Sequence, residues 1–262
     1  MNIIVCLKQV PDIRNGLQIE ESRDRIKESG LSFDINEADD YALQEALMLN
    51  EKFGGEVTVI SVGPDRAREV VVHALAKGAD RAVHVNDEVL AGSDGFVVAK
   101  VLADVIKRLN YDLILTGVQS EDEAQSYVGV AVATRLGLPH ASSVTNVEVL
   151  NGRKIVVERE MGGGKFEVME ISLPALLTVQ SGICELRYTT LLKIMQARRK
   201  EVKVLRAQDL TLDRRELGTE GSRSKLVSMA FPQSKKGEII TGEPREAVIK
   251  LIEKLQTEAK VL

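Results

Sequence analysis

The sequence predicts an α/β fold: a doubly wound, mostly parallel sheet with an added β-hairpin and an extended C-terminal arm. Three observations predict it. Short continuous apolar runs alternate with helix-period segments from Ile3 to Leu136. Glycine or proline closes nearly every one of these runs. After Pro139 the period changes to two, the mark of strands with one exposed face.

In chain order, Ile3–Leu7 is a continuous apolar run suited to a strand buried on both faces, and Pro11 ends it. Residues 12–30 are charged without firm periodicity and read as an excursion or a short hairpin. A helix is expected over 36–53, with Ala38, Ala42, Ala46, Leu49 and Phe53 on one side. Asn36 or Asp34 suits its N-cap and Gly54-Gly55 its stop. Val57–Val62 is the second strand, closed by Gly63-Pro64, and 65–77 the second helix, ended by Gly78. Residues 82–85, 93–109, 113–116 and 125–136 continue as strand, helix, strand, helix. Helices of this length between strands imply right-handed crossovers.

Beyond Pro139, residues 144–149, 154–160 and 165–171 alternate as strands, the last two joined across Gly162-Gly163-Gly164 as a hairpin. Ala175–Val179 is a further apolar strand, and 191–200 a basic helix-like stretch carrying Lys193, Arg198, Arg199 and Lys200. From Gln208 to Pro244 the chain is polar and lacks apolar periodicity, the composition of a loop that wraps a partner or is disordered. Pro244 opens a last helix with Ala247, Ile249, Leu251, Ile252 and Leu255 apolar. The expected division is therefore an α/β core over 1–205 and a C-terminal arm and helix over 206–262.

Composition excludes several function classes. A net charge of -4 leaves no electrostatic footprint for nucleic acid, and 3% aromatics with no Trp offer no base-stacking platform. Cys6 and Cys184 stand far apart in no metal-ligand spacing, which points to a reducing compartment without a disulfide. No apolar run has the length of a signal peptide core or of a membrane span, so a cytoplasmic chain without membrane insertion is expected.

The stretch from Asp112 to Gly129 is the candidate functional element. A strand stops at Gly117, a polar loop follows, and a helix begins. That geometry places backbone N–H groups and a helix N-terminus at a strand's carboxyl edge, where nucleotide phosphates bind. The loop contains no Lys or Arg, and Glu121, Asp122 and Glu123 crowd it. A triphosphate would meet these charges without a counter-cation, at a cost on the order of 1 kcal/mol each at surface dielectric. A single phosphate held by backbone N–H and by Ser120, Gln125, Ser126 or Tyr127 fits better. The competing reading is a plain capping box, Ser120 at the N-cap and Glu123 three residues on. A P-loop and a G-x-G-x-x-G turn are both missing, and His73, His84 and His140 form no triad or metal set. No catalytic residue is assigned, no metal site is expected, and no covalent chemistry by the chain itself is expected.

Several motifs then carry a resemblance. Val5-Cys6-Leu7-Lys8-Gln9-Val10-Pro11-Asp12, Ser61-Val62-Gly63-Pro64, Ala74 through Arg81, Gly117-Val118-Gln119-Ser120, Val157-Glu158-Arg159-Glu160 and Arg187-Tyr188-Thr189-Thr190-Leu191 follow one another. Over residues 2 to about 205 the chain resembles electron transfer flavoprotein β subunits, of the bacterial branch that serves amine-type dehydrogenases. The resemblance implies an adenine nucleotide α hydrolase-like fold and an electron-carrier subunit rather than an enzyme. It implies a heterodimer with an α subunit holding redox-active FAD, and one structural AMP in this chain. The implied AMP wall is Cys6, Asn36, Glu37, Ala38, Asp39, Val62, Gly117, Val118, Gln119, Ser120, Asp122, Gln125, Ser126, Tyr127 and Val128. The implied docking loop for a partner dehydrogenase is 187–200, with Arg187, Tyr188, Leu191, Ile194 and Met195, and Leu191 as its apolar anchor. Implied redox partners are an acyl-CoA or amine-type dehydrogenase as donor and a membrane quinone oxidoreductase beyond it. The last helix is expected to pack on the α subunit.

Two departures narrow the resemblance. Electron-bifurcating relatives, with a second FAD in this site, carry an Asp-Gly-Asp-Thr type loop where this chain has Asp122-Glu123-Ala124-Gln125. Ile13 stands where some relatives place a Tyr beside the flavin. An alternative of another class is a universal-stress-type nucleotide-binding regulator, but its Gly-x-x-Gly-x9-Gly-[ST] phosphate loop is missing.

Overall fold

The computed structural model of the chain describes residues 1–150, 153–232 and 237–262. It opens with β1 (Ile3–Leu7), buried throughout. Ile3, Val5 and Leu7 enter the core on one face of the sheet, Ile4 and Cys6 the core on the other. That is the period-two signature of a pleated strand covered on both sides. β2 (Gln9–Pro11) pairs antiparallel with β3 (Phe33–Ile35). Pro11 thus closes a short strand of its own, where a missing N–H is tolerated. The charged excursion lies between these two strands, pinched by a bridge from Ile19 to Ile26.

α1 (Glu37–Phe53), β4 (Val57–Val62), α2 (Arg68–Lys77), β5 (Arg81–Val85), α3 (Gly95–Ile106), β6 (Leu113–Gly117) and α4 (Val128–Leu136) follow as the alternation predicts. Several boundaries move; the third helix, expected over 93–109, spans Gly95–Ile106. The second helix begins with a 3-10 turn at Asp65–Ala67. The fourth helix starts at Val128, three residues later than expected, because Ala124 and Ser126 take φ of 49° and 56°, outside the right-handed helix.

β7 (His140–Val149), β8 (Lys154–Gly162), β9 (Lys165–Ser172) and β10 (Ala175–Val179) complete the strand-rich part, with β8 and β9 joined as the predicted hairpin. Among the described residues the main sheet has the order β11-β5-β4-β1-β6-β10-β7-β8-β9, where β11 (Lys203–Leu205) is a short edge strand the sequence did not reveal. Pairing is parallel from β11 to β7 and antiparallel only at β8 and β9. α1 and α2 cover one face, α3 and α4 the other. Each fully buried Leu or Ile in these layers stabilises the fold by about 1.5–3 kcal/mol.

Strand order reverses at β1: successive strands go outward through β4 and β5, then return to β6 on its other side. A crevice opens at the carboxyl ends of the strands at such a switch point. α5 (Leu191–Ala197) packs on α2 and buries Ala197. The polar arm is not coreless at first, since Leu210 and Leu217 are buried against the α3 side, beside the short α6 (Gly218–Gly221). α7 (Pro244–Thr257) buries none of its residues and exposes Val248, Ile249, Leu251 and Ile252.

Candidate functional site

The crevice at the switch point is a cleft of about 790 Å³ measured to its open mouth, within the size range of small-molecule and cofactor sites. Its floor comes from the ends of β1, β4 and β6, as Cys6, Leu7, Lys8, Val62, Thr116 and Gly117. One wall is the start of α1. The other is the start of α3, with Gly95, Val98 and Leu102. The loop from Val118 to Gly129 closes it.

Asn36 holds the loop to α1. Nearly fully buried, it donates from Nδ2 to Gln119 O at 2.9 Å and accepts from Glu121 N at 3.0 Å. It occupies the N-cap position of α1 but makes no side-chain cap bond, because both ends of its amide serve the loop. Asp39, one turn into α1, joins two strand ends. Its Oδ2 accepts from Lys8 N at 2.7 Å and its Oδ1 from Gly117 N at 2.8 Å. Burial raises its pKa to about 7, against the lowering pull of those two N–H groups. Gly117 is required by closeness: a Cβ there would lie 2.8 Å from Ala38 Cβ and from Asp39 N.

The phosphate-sized part of the site is the turn before α4. Ala124 and Ser126 have positive φ with Gln125 between them, and Ala124 N–H donates to Ser120 O at 2.8 Å, closing the turn. The loop is held in this strained conformation by Ser126 Oγ donating to Gln119 Oε1 at 2.8 Å. The capping-box reading fails here. No helix starts at Ser120, and the Glu123 carboxylate points to a cation instead.

That cation is Lys8. The loop itself carries no Lys or Arg, yet the expectation that its carboxylates lack a counter-charge is overturned. Lys8, just past β1, lines the cleft and places Nζ 2.7 Å from Asp122, 3.0 Å from Glu123 and 3.3 Å from Ser120 Oγ. It escaped the sequence reading because it stands 112 positions from Ser120, and only the adjacency of β1 and β6 brings them together.

Of the wall residues expected from the resemblance, Cys6, Asn36, Asp39, Val62, Gly117, Val118, Gln119, Ser120, Gln125, Ser126, Tyr127 and Val128 line this one cleft. Glu37 is exposed, Ala38 is buried behind Gly117, and Asp122 lies outside as the partner of Lys8. Leu7, Lys8, Gly95, Val98, Leu102, Thr116 and Gly129 line it beyond the expected wall, and so does Glu123, expected among the acidic residues that crowd the loop. The signal for Gly95 was available, since Asp94 caps α3 by accepting from Val97 N. Cys6 and Cys184 are both free. Burial pushes the Cys6 thiol up to about 12, and Cys184 rises to about 11. His84 is buried against Gly63 O, while His73 is partly buried and His140 exposed. Among the described residues no cluster of three or more His, Cys, Asp or Glu suits a metal.

The segment before and within α5 forms a separate surface. Tyr188 is 97% exposed and Leu191 74%, with Leu192 and Met195 beside them, while Ile194 packs inward on the core. Arg187 anchors the segment, donating its N–H to Gln44 Oε1 at 3.1 Å and pairing with Glu51. Leu192 shares the exposure of Leu191 and was missed. No helix among the described residues is long and apolar enough to cross a membrane.

Comparison with known proteins agrees with this architecture. The model of the electron transfer flavoprotein domain matches residues 25–210. The chain is 40% identical over 259 residues to the electron transfer flavoprotein subunit beta of Thermoanaerobacterium thermosaccharolyticum, covering 98% of each chain. It is 38% identical to the subunit beta of Methylophilus methylotrophus over 97% of each. It is also 36% identical over 251 residues to protein FixA of Azotobacter vinelandii, covering 92% of this chain and 88% of that one.

Proposed function

The chain belongs to the electron transfer flavoprotein family, as a β subunit, and from that premise we propose that its cleft holds a structural AMP while FAD in an α subunit carries the electrons. The observation that carries the reading is the turn at 124–127. It lies immediately before the N-terminus of α4, and its alternating backbone is the kind that presents N–H groups to an anion, so a dianionic phosphate is favoured there. The residues present fit such a ligand. Ser120 and Gln125 supply side-chain donors beside the turn, and Lys8 supplies a charge. Val62, Val98 and Leu102 supply an apolar wall for a base. Asp122 and Glu123, both paired with Lys8, disfavour a second phosphate group near this loop.

The flavin supplies one-electron chemistry, and this chain supplies position and a docking surface. Tyr188, Leu191, Leu192 and Met195 are an exposed apolar group ringed by Arg187, Lys193 and Arg198, the pattern of an anchor with a polar rim. In this reading a dehydrogenase of the acyl-CoA or amine type docks there and a membrane quinone oxidoreductase stands downstream. The exposed stripe of α7 rests on the α subunit. The chain works in the cytoplasm.

The test is direct. The purified protein is denatured and the released nucleotide identified by mass. AMP supports the reading, FAD supports a bifurcating subunit, and no nucleotide overturns both.

A further inference from the structure

The C-terminal arm does not leave the body where the core ends. From Asp209 to Ser224 it runs antiparallel along the outer side of α3, fastened at four levels. Arg108 Nη1 donates to Asp209 O, and Asp104 Oδ2 accepts from Thr211 N at 3.1 Å. Lys100 Nζ meets Glu216 Oε1 at 2.8 Å. At the top Asp94 Oδ2 accepts from Arg223 N, Ser224 N and Ser224 Oγ at 2.7, 2.8 and 3.0 Å. Leu210 and Leu217 are buried between these levels.

The inner side of the same helix is the cleft wall, through Gly95, Val98 and Leu102. Contact there is without slack. A Cβ on Gly95 would lie 2.8 Å from Tyr127 Oη, 2.9 Å from Val128 Cγ2 and 3.0 Å from Gln125 Oε1. A shift of the first turn of α3 is therefore a shift of the loop that closes the cleft, because packed contacts transmit displacement rather than absorb it. Asp94 stands where the two meet. Buried, it caps α3 by accepting from Val97 N through Oδ1 and grips the arm through Oδ2.

We propose that Asp94 is a positioning residue for the nucleotide cleft: by holding arm residues 222–224 against the cap of α3, it makes arm closure and adenylate binding stabilise one another. The proposal rests on the adenylate reading above. Linkage requires the effect in both directions: a closed arm tightens adenylate binding, and bound adenylate closes the arm.

The experiment uses the full-length chain, with AMP as the probe. Asp94→Ser keeps a hydroxyl to cap α3 but has no second oxygen for the arm. Ser224→Ala combined with Arg223→Pro removes two of the three arm donors, Arg223 N–H and the Ser224 hydroxyl, and leaves α3 untouched. Ser222, at φ -68° and ψ 146°, already has the backbone a following proline requires. Calorimetry should show AMP bound about tenfold more weakly by both variants, within the usual range of coupling. Hydrogen exchange over 209–224 should slow on adding AMP to the wild type and stay unchanged in the variants. Equal AMP affinity in all three, with arm exchange indifferent to AMP, overturns this proposal alone. Failure of AMP to bind the wild type overturns the adenylate reading and this proposal with it.

Discussion

Replacing Asp39 with Asn tests how the switch point is held. Each carboxylate oxygen accepts one backbone N–H, from Lys8 at one strand end and from Gly117 at another. An Asn has one acceptor oxygen, so its NH₂ must face the remaining N–H, donor against donor. A buried donor left without an acceptor costs about 1–3 kcal/mol. The wild type carries an opposing cost, because burial raises the Asp39 pKa to about 7, so the folded chain binds a proton that the unfolded chain releases in the ordinary carboxylate range. Between these limits the folded state holds more protons. Its stability from this group therefore falls as pH rises and reaches its floor above about 7. Urea unfolding of Asp39→Asn should show a loss of about 1–3 kcal/mol near pH 5 that narrows toward pH 8. A penalty that grows with pH would mean that the two N–H groups outweigh burial. A variant as stable as the wild type at pH 5 would mean that the bridge between strand ends contributes nothing.

Lys8→Met removes the cation lining the cleft. Its ion pairs are partly exposed, so stability should change by less than about 1 kcal/mol while AMP binding weakens about tenfold or more by calorimetry. Unchanged affinity would dismiss Lys8 from the phosphate site. Leu191→Ala should leave unfolding within about 0.5 kcal/mol of the wild type, since the side chain is 74% exposed. It should cost about 2 kcal/mol, roughly thirtyfold, in apparent affinity for the dehydrogenase measured by electron-transfer kinetics. Equal transfer would remove the anchor. Alkylation at pH 8 should be slow at both thiols, about a thousandfold below a free cysteine for Cys6 and a hundredfold for Cys184, from thiolate fractions alone. Fast labelling of the native protein, read by mass, would contradict their burial.

The parallel core was legible because its signal is local. An apolar run such as Ile3–Leu7 or Val57–Val62, closed by a turn residue, states strand and burial at once. The cleft walls at Asn36 and Gly117 were legible for a similar reason, a polar cap and a glycine at strand and helix ends. What escaped depended on distance in sequence. β11 is three residues long and becomes a strand only by pairing with β5. Lys8 reads as an ordinary surface lysine until β1 lies beside β6. The arm's Leu210 and Leu217 have no periodicity because 3-10 turns break the chain around them, so two buried anchors were hidden in a polar stretch. The start of α4 lies beyond the apolar pattern's onset because Ala124 and Ser126 are held left-handed within the loop, Ser126 by its bond to Gln119.

Apart from β11, these misses share a direction. Each concerns a residue that fastens one part of the molecule to another, on the cleft or on the helix behind it. The sheet interior specifies itself through hydrophobic pattern, whereas the site is assembled from polar contacts across many intervening residues: Lys8 to Asp122, Asn36 to Gln119, Asp94 to Ser224. That division suits a carrier subunit. The sheet needs only to be rigid, so pattern is enough. The exposed apolar group at Leu191, on a helix packed against α2, lies on the opposite layer of the sheet from the cleft wall formed by α3. A partner docked there, as proposed, would press on one layer of the sheet while a nucleotide in the cleft steadied the other.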